Sequence, residues 1–76
     1  MSRKASKSSR ALGKAFSATR AEKGYTQESF ALHAKMDRSY YGALERGEYN
    51  MTIATVMTVS KALGVPAWQL WKRAGL

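Results

Sequence analysis

Arg38, Ser39 and Tyr40 open a segment of helical pattern whose outward face also carries Gly42, Ala43 and Arg46. Only Tyr41 and Leu44 of that segment turn inward by spacing. An arginine fork can donate two hydrogen bonds to guanine O6 and N7, worth about 1–3 kcal/mol of discrimination. Gly42 and Ala43 leave the middle of the face low, so the helix could lie deep in a groove about 12 Å wide. A polar outer face is also what any solvated helix presents. The charge balance narrows the choice: thirteen Lys and Arg against five Asp and Glu give +8 and a pI of 10.2. Polyanions are the natural partners of such a surface, although basic charge also serves solubility alone.

Other chemistry is poorly provided for. There is no cysteine, so disulfides, thiolate metal sites and cysteine nucleophiles are excluded. A single histidine, His33, cannot build a zinc site, and it is expected on the outer side of its helix in water. No paired-carboxylate, nucleophile–base or phosphate-loop pattern occurs, so an enzyme is not expected. No cofactor, metal or small-molecule ligand is expected either. No apolar run follows the basic N-terminus, and none approaches the roughly 20 residues of a membrane span. The chain is therefore expected to be soluble and cytoplasmic.

The elements that must position Arg38 are short helices. Residues 1–9, MSRKASKSS, lack periodicity and are expected to form a flexible basic arm before a domain at 10–76. Arg3, Lys4, Lys7 and Arg10 make that start cationic, whether as a solvated tail or as an arm that touches DNA. From Ser9, capped by Ser8 or Ser9, Leu12, Ala15, Phe16 and Thr19 share one helix face until Lys23-Gly24 ends it. Thr26 caps a second helix that buries Phe30, Ala31 and Ala34. After a very short break at Lys35-Met36, Asp37 caps the third, which stops at Gly47. Thr52 caps a fourth, with Ile53, Val56, Ser60 and Leu63 on one face. Pro66 precedes a last short helix carrying Leu70 and Trp71. No strand candidate survives, so the expectation is all-α: five helices around one small core, with ~60% of the unfolded chain's surface buried. A connection as short as that at Lys35-Met36 forces the third helix to cross the second steeply and to project from the domain.

Three runs carry a resemblance: Arg20 to Glu28 (RAEKGYTQE), Leu44 to Gly47 (LERG) and Lys61 to Val65 (KALGV). Over roughly residues 11–71 the chain resembles the Cro/C1-type (XRE) helix-turn-helix family. The stretch DRSYYGALERGEYNMTI is most similar to the controller proteins of restriction–modification systems. The resemblance implies a compact lambda-repressor-like fold with its helix-turn-helix at 26–46. It also implies a homodimeric transcription regulator that binds a palindromic double-stranded DNA operator. Arg38 and Ser39 match base-reading positions; Tyr40 is a neighbouring outward position, and Arg46 matches either a base or a phosphate contact. Thr26 and Gln27 match phosphate contacts at a helix start, and Asn50 and Thr52 match a second phosphate clamp. Arg20 and Glu45 match a largely buried structural ion pair.

The chain departs from the family pattern at several points. Lys35 stands where Gly or Asn often adopts a left-handed conformation, at a cost on the order of 1 kcal/mol; its ammonium can compensate as a phosphate contact. Met51 replaces a common proline. Trp68 replaces a polar residue, and Leu32 faces outward. Trp68 and Trp71 are expected at a dimer interface, although Trp68 can equally cap a small core. The alternative function on the same fold is a protein-interaction module, an antitoxin or bridging factor, which would use Leu32 and Trp68 rather than Arg38.

Overall fold

The computed structural model describes residues 6–76. Five helices follow in order: α1 (Lys7–Glu22), α2 (Gln27–Ala34), α3 (Arg38–Glu45), α4 (Ile53–Leu63) and α5 (Ala67–Arg73). The long α1 packs against both α3 and α5, α2 lies on α3, and α4 closes onto α5. Phe16 from α1, Phe30 from α2 and Tyr41 from α3 are fully buried at the centre. The Phe30 and Tyr41 rings sit 4.9 Å apart, and Tyr25 meets Phe30 edge-on at 5.4 Å. Val56, Val59, Leu63 and Leu70 complete the core from α4 and α5.

Threonine, serine and aspartate side chains start four of the helices. Thr26, Asp37 and Thr52 each accept the amide of the residue three positions on, as their types predict. The start of α1 differs from expectation. It begins at Lys7 with Ser6 as its cap, so residues 7–9 are helix rather than arm. The reason is long-range. Asn50 Oδ1 accepts the Ser6 amide at 3.0 Å, and the buried Ser9 hydroxyl accepts the Met51 amide at 2.7 Å. Periodicity within the first ten residues carries no trace of that tie. Arg3 and Lys4 lie outside the described residues.

Two buried faces also differ. Gly42 and Ala43 are buried, not exposed, because the side chains of Gln27 in α2 and of Arg46 just past α3 cover Gly42 and the following loop folds back on α3. That loop returns the Glu48 amide to the Ala43 carbonyl at 3.0 Å. In α4, Val59 is buried while Ile53 is 69% exposed. At 100° per residue Ile53 lies roughly 70° from the midpoint of Val56 and Leu63, and it stands in the first turn. It therefore falls off the edge of the packed arc. Among the described residues no helix is long and apolar enough to cross a membrane.

Candidate nucleic-acid interface

The break between α2 and α3 controls where the candidate residues stand. Lys35 takes φ 58° and ψ 41°, the left-handed conformation, and is the one non-glycine residue with positive φ among those described. The Met36 amide returns to the Ala31 carbonyl at 2.8 Å, which closes α2 and satisfies one of its terminal carbonyls. The chain then reverses within two residues, and Asp37 starts α3. The Lys35 side chain is exposed beside the turn.

The first turn of α2 and the outer face of α3 enclose an open cleft lined by Thr26, Gln27, Glu28, Arg38, Ser39, Gly42 and Arg46. Five expected contact residues, Thr26, Gln27, Arg38, Ser39 and Arg46, thus share one surface. Gly42 forms the floor. A Cβ there would stand 3.2 Å from Arg46 Nη1 and 3.3 Å from Gln27 Oε1, so those two side chains cross directly above it. Arg38 is two-thirds exposed, with its guanidinium 3.7 Å from Glu28. Arg46 donates to Glu48 through Nε at 2.7 Å and Nη2 at 3.3 Å. Tyr40, partly exposed, stands outside the cleft and packs its ring 5.4 Å from that of Tyr49.

Beneath the cleft lies the ion pair. Arg20 donates to Glu45 through Nε at 2.6 Å and Nη2 at 3.2 Å, and its Nη1 reaches the Tyr25 carbonyl at 2.8 Å. Glu45 is 9% exposed. Burial pushes its carboxyl pKa upward, but the hydrogen bonds from Arg20 and Gln27 outweigh burial and hold it below the ordinary carboxylate range. Tyr41 sits against this pair. Its hydroxyl is buried without a hydrogen-bond partner, and burial beside the Glu45 carboxylate pushes its pKa well above the usual phenol value.

Gln27 differs from the simple expectation of a phosphate contact. Its side-chain amide donates to Glu45 Oε1 at 2.8 Å and is half-buried, because Glu45 has a lone pair that Arg20 does not reach. What Gln27 keeps for an anion is its backbone N–H, one of the orphan amides of the α2 start. Asn50 is likewise committed in part, accepting from Ser6, with its Nδ2 donor remaining. Thr52 is exposed and occupied as the α4 cap. Asn50 and Thr52 do not line the cleft. The two tryptophans also part ways. Trp71 is half-buried against the core, whereas Trp68 is 58% exposed with the Lys72 ammonium 6.0 Å over its ring. His33 is exposed but anchored, its Nε2 3.0 Å from the Ala62 carbonyl and its ring stacked on Tyr25. Glu48 as partner of Arg46 went unread in the sequence, because residues two apart do not face each other on a helix and the course of the loop after α3 sets the contact.

Two short helices joined at a left-handed residue, with an open polar cleft across their outer faces, define a helix-turn-helix unit on a five-helix body. A family model described as helix-turn-helix matches residues 17–67. The chain belongs to the Cro/C1-type helix-turn-helix family. It is 39% identical over 54 residues to an HTH-type transcriptional regulator of Sinorhizobium fredii, covering 71% of this chain and 70% of that one. It is also 39% identical over 51 residues to a hypothetical transcription factor of Neisseria meningitidis, covering 67% of this chain but only 48%, about half, of that protein. Among solved structures, the controller protein C.AhdI of Aeromonas hydrophila superposes with a TM-score of 0.74 at 31% identity, over 80% of this chain and 92% of that chain. The clp gene regulator ClgR of Corynebacterium glutamicum gives 0.84 at 29%, over 90% and 87%.

Proposed function

We propose that this chain is a sequence-specific DNA-binding transcription regulator that binds a palindromic operator as a homodimer. One observation carries the reading: Arg38, Ser39 and Arg46 share an open cleft with the N-terminus of α2, held at a fixed angle by the turn at Lys35. Arg38 reads a base edge, with Ser39, Tyr40 and Arg46 as further contacts. The α2 amides beside Thr26 and Gln27 take a phosphate, and Lys35, Asn50 and Thr52 hold the flanking backbone. Dimerisation through Trp68 on α5, with Trp71 behind it, sets half-sites about one DNA turn apart. A role as restriction–modification controller is supported by the likeness to C.AhdI and to the control proteins C.MunI and C.SmaI. A methyltransferase or endonuclease gene beside this one is the corresponding check.

The test is selection from a random duplex pool, followed by titration of the selected duplex and a random one at two salt concentrations. Enrichment of a palindrome, with affinity falling steeply with salt, is expected. Arg38→Ala should cost the selected duplex about 1–3 kcal/mol and leave random DNA nearly unchanged. Equal losses on both duplexes would remove Arg38 from base reading. A second reading, a protein-interaction module, draws on Leu32 and Trp68, which are 81% and 58% exposed. It predicts a pool that stays unenriched.

A further inference from the structure

Charge is divided unevenly along this chain. Residues 26–48 hold three cationic side chains, Lys35, Arg38 and Arg46, against four acidic ones, Glu28, Asp37, Glu45 and Glu48, a net charge of −1. The remaining residues hold ten cationic against one acidic, a net charge of +9. The helix pair proposed to meet DNA thus carries no net positive charge within a strongly basic protein. Two of its acids have structural tasks: Glu45 pairs with Arg20, and Asp37 caps α3. Glu48 has none, and Glu28 has only its place in the first turn of α2, where a negative charge meets the positive helix end. Both are exposed, and each holds one of the two arginines that line the cleft, Glu48 with two hydrogen bonds and Glu28 at 3.7 Å. Exposed pairs of this kind add little to folding stability.

We infer that Glu28 and Glu48 are specificity-determining residues of the proposed DNA site, holding the reading arginines and opposing any complex made through phosphates alone. The inference rests on the DNA-binding reading above. A carboxylate and a guanine edge each offer a guanidinium two acceptors side by side, so a correctly placed guanine can replace Glu48 on Arg46 bond for bond. A non-specific complex is held by phosphate contacts. A phosphate entering this cleft meets the Glu28 carboxylate on its wall, and Arg46, which would attract it, is already engaged by Glu48 beside the cleft. Affinity for any duplex then comes from the basic remainder of the chain, and the cleft contributes only when base edges take over the arginines.

The experiment titrates the full chain, Glu48→Gln and Glu28→Gln against the selected duplex and a random duplex of equal length over a range of salt. Glu48→Gln should tighten random-duplex binding roughly three- to tenfold and steepen its log–log salt slope by about one. The selected duplex should change less, so the ratio between the two falls. Glu28→Gln should act in the same direction by a smaller factor, because its arginine is held less closely. Equal changes on both duplexes, or weakening on both, would overturn the inference and leave Glu48 as a prop for Arg46. If the unmodified chain binds selected and random duplexes alike, the operator reading itself fails, and this inference with it. If the unmodified chain discriminates and Glu48→Gln discriminates as well, only the role of the carboxylates falls.

Discussion

Two arginine–glutamate pairs lie at the C-terminal end of α3, one beneath the cleft and one beside it. The side chains of Arg20 and Glu45 are 14% and 4% exposed; those of Arg46 and Glu48 are 56% and 55% exposed. Donor, acceptor and bidentate geometry are alike, and what differs is water. Beneath the cleft Glu45 is cut off from water and Arg20 is nearly so, so the pair is fixed, and Gln27 takes a further lone pair of the carboxylate. Beside the cleft water or another acceptor can replace either partner at small cost. The same chemistry thus gives a structural joint in one place and an exchangeable contact in the other, and a recognition surface needs the second kind.

The largest test of that contrast is Glu45→Ala. It leaves the Arg20 guanidinium buried without its carboxylate and strands the Gln27 amide, so a loss of about 3–5 kcal/mol in urea unfolding is expected. A loss under about 1 kcal/mol would show that the buried pair exchanges with water as freely as the exposed one. Acid sharpens the point. The folded Glu45 carboxyl titrates below the ordinary carboxylate value of 4.5. Its contribution is therefore fully present above that value and is lost as pH falls through the lower folded one. Urea midpoints between pH 7 and pH 3 should fall less steeply in Glu45→Gln than in the unmodified chain. Parallel profiles would remove Glu45 as a source of acid sensitivity.

A smaller loss is expected at Gly13, on the face of α1 that receives the buried pair. A Cβ added there would stand 2.5 Å from the carbonyl oxygens of both Leu44 and Glu45, atoms of backbone that cannot turn aside. Gly13→Ala forces α1 and α3 apart and should cost about 1–3 kcal/mol. An unchanged urea midpoint would mean that α3 can shift along α1 without disturbing the Arg20–Glu45 joint.

Most of the fold was legible because it rests on local rules. Thr26, Asp37 and Thr52 announce three helix starts, and the spacing of Leu12, Phe16 and Thr19 gives the inner face of α1. The site was legible in part. Arg38 and Arg46 could be placed on an outward face from periodicity, and the Arg20–Glu45 pair from the resemblance. What stayed hidden depends on contacts between distant residues. Ser6 caps α1 because Asn50, 44 residues away, holds its amide. Gln27 turns inward because Glu45 has an acceptor to spare. Gly42 is buried by the crossing of two long polar side chains, which no hydrophobic pattern encodes.

The smallest effect expected is on the folding stability of the exposed pair, and it decides whether the contrast is one of kind. Arg46 and Glu48 lie two residues apart, so forming the pair closes almost no chain, while two flexible side chains lose rotamer freedom to make it. Its charges remain in water, where screening at physiological salt removes much of their attraction. Glu48→Ala should therefore leave the urea midpoint nearly unchanged, and a double-mutant cycle with Arg46→Ala should give a small coupling that shrinks as salt is added. The corresponding coupling for Arg20 and Glu45 should be several times larger and nearly independent of salt, because burial keeps mobile ions away. A salt-independent coupling at Arg46–Glu48 as large as that of the buried pair would make it a second structural joint, and Arg46 would then be too firmly held to pass to a base edge.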